Sequence, residues 1–367
     1  MEKNKIGIAQ MMLLLFLSRV FTALTYFPGM NNPVSGTAML FGQILGYGVV
    51  LLLFLPLLWM LKRYPERSLA MNLQAVSRRG SVPVNIIYLA FVILLAANTL
   101  AHFQFFMTNA IFQEASAWAI IIPMMIVAVY AAHVGIEGIC RSGFLLFCAF
   151  IIAFLFIMFS SIPEIKLTNL KPMEENALSQ ILRGAYGVVS RSVEILMLYL
   201  LLPYLKKGKL GAGVTGFAVL SFVVFELIAF FLLAVLGDFA KSQTFPFYTL
   251  ASMAGISIFQ RMDALYMGIW VFVAFIRLAL LLFIAGDLLA LILPPRKNVE
   301  RKRGFCLGMI SVLVFALAIP LCYDMKLLNG SYQLLYTGLL VLTLVLVIPV
   351  ITLIILKIKS KRSERNG

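Results

Sequence analysis

Charge is scarce in this chain, and acidic charge scarcest. Charged residues make up 12% of 367 positions, with 15 Asp and Glu against 30 Lys and Arg. Soluble domains carry about 25% charged residues. So little charge beside 62% hydrophobic content excludes a soluble globular enzyme and a disordered protein. An outer-membrane barrel is excluded too, because alternating strands give a far weaker apolar signal than the long runs found here. Cysteine and histidine are few: Cys140, Cys148, Cys306 and Cys322 stand singly, and the histidines are His102 and His133. Without a Cys-x-x-Cys or a Cys/His cluster the sequence offers neither a disulfide framework nor metal ligands, so no metal or cofactor is expected. Phosphate-cradling glycine loops and nucleophile elbows are missing as well, and an enzyme is not expected. What remains is an all-α polytopic membrane protein.

About 20 apolar residues are needed to cross the hydrocarbon core as a helix. Ten stretches meet that length: 8–27, 38–61, 84–112, 118–137, 143–162, 182–205, 214–237, 263–293, 305–323 and 333–356. No soluble domain fits between any two of them, so residues 1–367 read as a single integral membrane domain. The first stretch is followed by no small-residue cleavage site and reads as a span, not a signal peptide. Two connecting segments, 160–179 with Glu174–Glu175 and 238–262 with Phe245–Pro246, are long enough to hold structure of their own.

The net charge of +15 would suggest nucleic acid in a soluble protein. Here the location of the charges decides against it. Of the 30 Lys and Arg, 21 fall in segments 1–7, 62–83, 138–142, 206–213, 294–304 and 357–367. Six fall in or beside the alternate segments, and Arg19, Arg191 and Arg277 lie inside spans. Cytoplasmic segments hold the excess of Lys and Arg, so ten spans with both termini cytoplasmic are expected, with membrane lipid and not nucleic acid as the surrounding partner.

Ionisable groups inside spans are costly and must face protein or water. The first span carries Ser18, Arg19 and Thr22 near its middle. The sixth carries Gly184, Gly187, Val188, Ser190, Arg191 and Glu194 just before the apolar run 195–202. Such material is poor for a continuous helix and good for exposed backbone. Transporter folds built from inverted repeats place a break in the first helix of each half, and with ten spans those are the first and the sixth. Freed amides and carbonyls near Ser18 and 187–190 would hold the carboxylate and ammonium of a small zwitterion. Arg19 would add positive charge or pair with Glu194, while Arg191 and Glu194 can also pair within their own helix. Asn98 and His102, one turn apart in the third span, would line a side-chain pocket, though helix–helix hydrogen bonding is the commoner role of such residues. His133, Glu137 and Arg141 read as a local ion network. Glu226, Arg277 and Asp287 call for partners across the bundle. The fifth span holds no ionisable residue between 144 and 159.

Phe245-Pro246, Gln260-Arg261-Met262-Asp263-Ala264, Gly268-Ile269-Trp270 and Phe275-Ile276-Arg277 together resemble the signature of spore germination permeases, the B subunits of nutrient germinant receptors. Tyr64-Pro65, the segment 130–137 followed by Arg141, and Glu194 heading a run that ends at Pro203 agree with it. The resemblance implies a LeuT-like 5+5 inverted-repeat fold with helices one and six discontinuous. It also implies residence in the spore inner membrane and sensing of a small-molecule nutrient, an amino acid above all. The implied partners are a multi-pass A-type subunit and a C-type lipoprotein subunit. The family usually has glycine where this chain has Ser18-Arg19, and often before the sixth-helix Glu, where this chain has Val193. The fifth-helix Lys of some proton-coupled relatives of the fold is absent. The alternative is an amino acid transporter without a receptor role.

Overall fold

The computed structural model describes residues 5–25, 36–64, 66–170, 177–256, 259–260, 262–294 and 298–365. Among them, ten helices are long and apolar enough to cross a membrane. The first is α1 (Ile8–Thr25). The second is built from α2 (Gly36–Leu53) and α3 (Leu55–Arg63), which meet at Phe54 because Pro56 has no N–H to continue the ladder. A short helix, α4 (Leu69–Val76), follows; the Ser68 Oγ caps it by accepting the Met71 N–H at 3.2 Å. The third, fourth and fifth spans are α5 (Ser81–Ala110), α6 (Ala117–Val134) and α7 (Ile136–Ser161). Gly135, at φ 107°, makes the turn between the last two, in a conformation that costs glycine little.

The sixth span consists of α8 (Ala177–Ser190) and α9 (Glu194–Leu201). The seventh is α10 (Leu210–Phe231), which ends in a π-helical turn, Leu232–Leu236, before Gly237. The segment 238–262 holds α11 (Pro246–Met253) and a hairpin of β1 (Gly255–Ile256) and β2 (Phe259–Gln260), with Gly255 opposite Gln260. Next come α12 (Asp263–Ile292) and α13 (Val299–Tyr323) as the eighth and ninth spans. Met325–Leu335 forms a separate amphipathic helix, α14, started by the Asp324 carboxylate on the N–H groups of Lys326 and Leu327. The tenth span therefore begins at Gly338 and not within α14 as hydropathy alone suggests. It runs as α15 (Gly338–Leu342), a π-helical turn at Thr343–Val347, and α16 (Ile348–Arg365). Pro65, Glu174, Glu175, Arg261 and the end of the expected first span lie outside the described residues.

The core gathers around α12, which packs against α1, α5, α6, α7 and α13. Its outer anchor is Trp270, fully buried, stacked 5.9 Å from Phe103 and donating its indole N–H to the Thr25 hydroxyl at 3.2 Å. Ahead of α1, Ile6 bridges to the end of the sixth span: its N–H donates to the Tyr204 carbonyl at 2.7 Å, and its carbonyl accepts from the Lys206 N–H at 2.9 Å. α1 thus lies between the sixth span and α12, with α7 and α10 on its remaining sides. That position puts its mid-helix polar residues at the centre of the bundle.

Candidate functional site

The sixth span breaks among its polar residues, but later than its glycines suggest. α8 stays helical through Gly184, Gly187 and Ser190, and the turn falls at Arg191–Ser192–Val193. Two serines cover carbonyls beside the break: Ser190 donates to Gly187 at 3.1 Å and Ser192 to Val188 at 2.9 Å. Gly184 serves close packing instead. A Cβ on Gly42 of α2 would lie 2.8 Å from the Gly184 Cα, so the backbones of α2 and α8 are in contact there.

The expected break in the first helix is absent. α1 runs continuously through Ser18 and Arg19. Neither glycine nor proline interrupts it, and Ser18 and Arg19 find partners without unwinding. The Ser18 carbonyl keeps its helical place and also accepts a hydrogen bond at 2.5 Å from the Arg277 guanidinium of α12.

Those contacts belong to a buried ion network. Glu194, wholly buried at the start of α9, faces two arginines: one carboxylate oxygen lies 3.4 Å from Arg19 Nη1, the other 3.3 Å from Arg277 Nη1. Arg277 is held by partners on all three of its nitrogens. Its Nε donates to the Thr99 hydroxyl at 3.3 Å, its Nη1 to Ser18, and its Nη2 to the Tyr336 hydroxyl at 2.8 Å. A charge so deep is tolerated because it is paired and hydrogen-bonded. Arg19 is held more loosely. It donates to the Ser192 hydroxyl at 3.1 Å and to the Val188 carbonyl at 3.5 Å, and lies 5.2 Å and 5.9 Å from the ring centroids of Tyr47 and Phe225. Arg191 does not pair with Glu194. Its Nε donates to the Tyr332 hydroxyl of α14 at 3.2 Å.

A cavity of about 70 Å³ opens on the loosely held side of this network, between α1, α2, α8 and α10. Five of the sequence-expected residues line it: Arg19, Thr22, Gly187, Val188 and Arg191. Ser18 and Glu194 stand behind it in the ion network, and Ser190 caps the end of α8. Asn98 and His102 do not line it. They face α14, where the Asn98 amide donates to the Ser331 hydroxyl at 2.8 Å and the His102 ring lies 5.9 Å from that of Tyr332. Sequence reading missed Gln43 and Tyr47, which line the cavity from α2, and gave Arg277 no partner. Gln43 and Tyr47 are four residues apart and so share a face of an apolar helix, a signal that was available.

A second, larger cavity of about 650 Å³ lies toward the Lys/Arg-rich ends of the helices. It is lined by the ends of α9 and α12, the α6–α7 junction and the start of α13. On its wall the Tyr204 hydroxyl donates to Asp287, whose carboxylate sits 3.4 Å from Arg303 Nε. Glu137 and Arg141 pair at 2.5 Å near its rim. Among the described residues no cluster of His, Cys, Asp or Glu offers a metal site.

A similar arrangement of helices is found in a solved structure titled as the substrate-bound outward-open state of a Na+-coupled sialic acid symporter. It shares 10% identity, covers 91% of this chain and 79% of that one, and superposes with a TM-score of 0.64. At that identity the likeness establishes the fold, a LeuT-like bundle of ten membrane helices. No curated protein matches the chain. The profile of a family described as spore germination protein matches residues 5–324, and the chain belongs to that family.

Proposed function

We propose that this protein is the permease-like subunit of a germinant receptor. In this reading it lies in the spore inner membrane with both termini cytoplasmic, binds a small nutrient, an amino acid, and passes the signal to partner subunits of the multi-pass A type and the lipoprotein C type. The observation that carries the reading is the cavity beside the helix-six break, walled by Arg19 and Arg191, in a chain of the spore germination family. A ligand carboxylate there meets guanidinium groups already positioned by Ser192, Val188 and Tyr332, so little side-chain entropy is lost on binding. No step of covalent chemistry is assigned to the site.

The test is thermal unfolding of the purified chain against a panel of amino acids. A ligand of the folded state raises apparent stability by an amount set by its concentration over its Kd, about 2.7 kcal/mol at a hundredfold excess. At least one amino acid is expected to shift the melting temperature of the native chain and not that of an Arg19→Gln variant. A flat response across the panel removes the amino acid as ligand. The second reading, an amino acid transporter, is favoured by the likeness to a symporter. Uptake of labelled amino acid into liposomes containing this chain alone would decide for it.

A further inference from the structure

The wall of the small cavity is electrically one-sided. Arg19 and Arg191 line it, and no carboxylate does. Two acidic residues lie near enough to be asked for. Glu194 has both oxygens committed, one to Arg19 and one to Arg277, and is buried behind the wall. Glu226 follows Phe225 on α10; it is not part of the lining and makes no ion pair with Arg19 or Arg191 among the described residues, although it lies close enough to the lining Tyr47 to act on it electrostatically and keeps one buried oxygen without a hydrogen-bond partner. In the surrounding cluster of three guanidiniums, those of Arg19, Arg191 and Arg277, Glu194 is therefore the paired carboxylate, with Glu226 nearby and paired to none of them among the described residues. Arg277 meets five acceptor atoms on four residues, and Arg19 shares Glu194 with it. Arg191, partly exposed, has among the described residues the neutral Tyr332 phenol as its hydrogen-bond partner and no carboxylate.

An uncompensated cation beside a membrane-buried cavity is costly and is relieved by any anion that enters. A zwitterion relieves it less, because its ammonium is brought toward two arginines, and among the described residues no carboxylate lines the cavity to receive it. From this we infer that the site selects a ligand of net negative charge: a small carboxylate with no ammonium, or an acidic amino acid whose second carboxylate outweighs its amine. This rests on the proposal that the cavity is the ligand site. Arg191 is then a specificity residue, with Arg19 as its partner in gripping the carboxylate, while the Gln43 amide and Tyr47 on the opposite wall are left for the remainder of the molecule.

Propionate is L-alanine without its ammonium and ethylamine is L-alanine without its carboxylate, with charges of minus one and plus one against zero, so the series asks which charged group the site requires; succinate and L-aspartate add a second carboxylate. The melting temperature of the full chain in detergent is titrated with each. The expected result is half-saturation by propionate, succinate or L-aspartate at a concentration roughly tenfold below that for L-alanine, with no shift from ethylamine. In Arg191→Gln that preference is expected to collapse to within about twofold, whereas Arg191→Lys, which keeps the charge, retains most of it. The unliganded melting temperatures of both variants report whether they fold; should the glutamine variant not, the lysine variant and the native ligand series still decide. If L-alanine binds as tightly as propionate, or if Arg191→Gln leaves the order unchanged, the charge inference is overturned and the binding site stands. If nothing in this series or in a full amino acid panel shifts the native chain, the ligand-site reading falls, and the inference with it.

Discussion

Glu194 holds the centre of the bundle together more than it recognises a ligand, and its substitution separates the two roles. Glu194→Gln leaves Arg19 and Arg277 buried without a counter-charge, and breaking a buried pair from one side costs about 3–5 kcal/mol. The variant is expected to lose that order of stability in chemical unfolding of the solubilised chain. Arg191→Gln, which gives up one hydrogen bond to Tyr332, is expected to lose about 1 kcal/mol. A double-mutant cycle of Glu194→Gln with Arg277→Met should show coupling above about 1 kcal/mol; additive effects would mean that the two do not act as one network. The sequence announced that Arg19, Arg191, Glu194 and Arg277 sit at membrane depth, since hydropathy locates them directly. It did not announce who pairs with whom. Glu194 meets Arg277 across 83 positions of chain and Arg19 across 175, and such pairings depend on helix rotation and height, which hydropathy does not encode. The near alternative, Arg191 with Glu194 on one helix, fails because the turn at 191–193 rotates the two residues apart.

At the scale of elements, α2 and α8 form one unit through glycine contacts. A Cβ on Gly46 would lie 2.6 Å from the Val188 Cβ, and one on Gly42 would lie 2.8 Å from both the Gly184 Cα and the Ile181 carbonyl oxygen. Val188 also lines the cavity and offers its carbonyl to Arg19. Overpacking at such a contact costs about 1–3 kcal/mol. Gly42→Ala and Gly46→Ala are therefore expected to lower the melting temperature and weaken any ligand response together. Gly48→Ala, two residues further on with nothing near its added methyl, should change stability by less than about 1 kcal/mol and in the favourable direction. Equal effects at all three positions would show that helix propensity, not contact, governs this pair. These glycines also mark where sequence reading went astray. Gly184 and Gly187 read as material for exposed backbone, yet both are helical, and Gly184 lets α2 approach. The break arrives only where serines can cover the freed carbonyls. In α1 the same reading expected a break, but a helix without glycine or proline, whose Ser18 and Arg19 find partners on the sixth span and α12, has no cause to open. Span lengths were legible because they follow from bilayer thickness. The places where spans bend were not, because neighbours decide them.

Across the whole molecule the ion network lies between the two cavities. Along the sixth span, residues 184–191 line the small cavity, Glu194 joins the network, and residues 200–204 line the large one. Along α12, Arg277 joins the network before residues 284–291 reach the large cavity. The network and the apolar run of α9 thus form a partition, with the wide opening on the side where Lys and Arg concentrate. In the topology proposed above from the positive-inside rule, that side faces the cytoplasm. Ala290 lines the large cavity and is partly exposed, whereas Ala229 lines the small one and is buried. A membrane-impermeant maleimide should therefore modify an Ala290→Cys variant in inside-out vesicles well above the level of the parent chain with its four native cysteines, and leave it untouched in right-side-out ones. Ala229→Cys should stay unmodified from the cytoplasmic side, because the partition stands in the way. Labelling of Ala290→Cys from the outside would reverse the topology. Labelling of both positions from the cytoplasm would mean that the Arg19–Glu194–Arg277 layer is wet throughout, and a carboxylate shared by two arginines would then be a lining of the passage, not the wall that closes it.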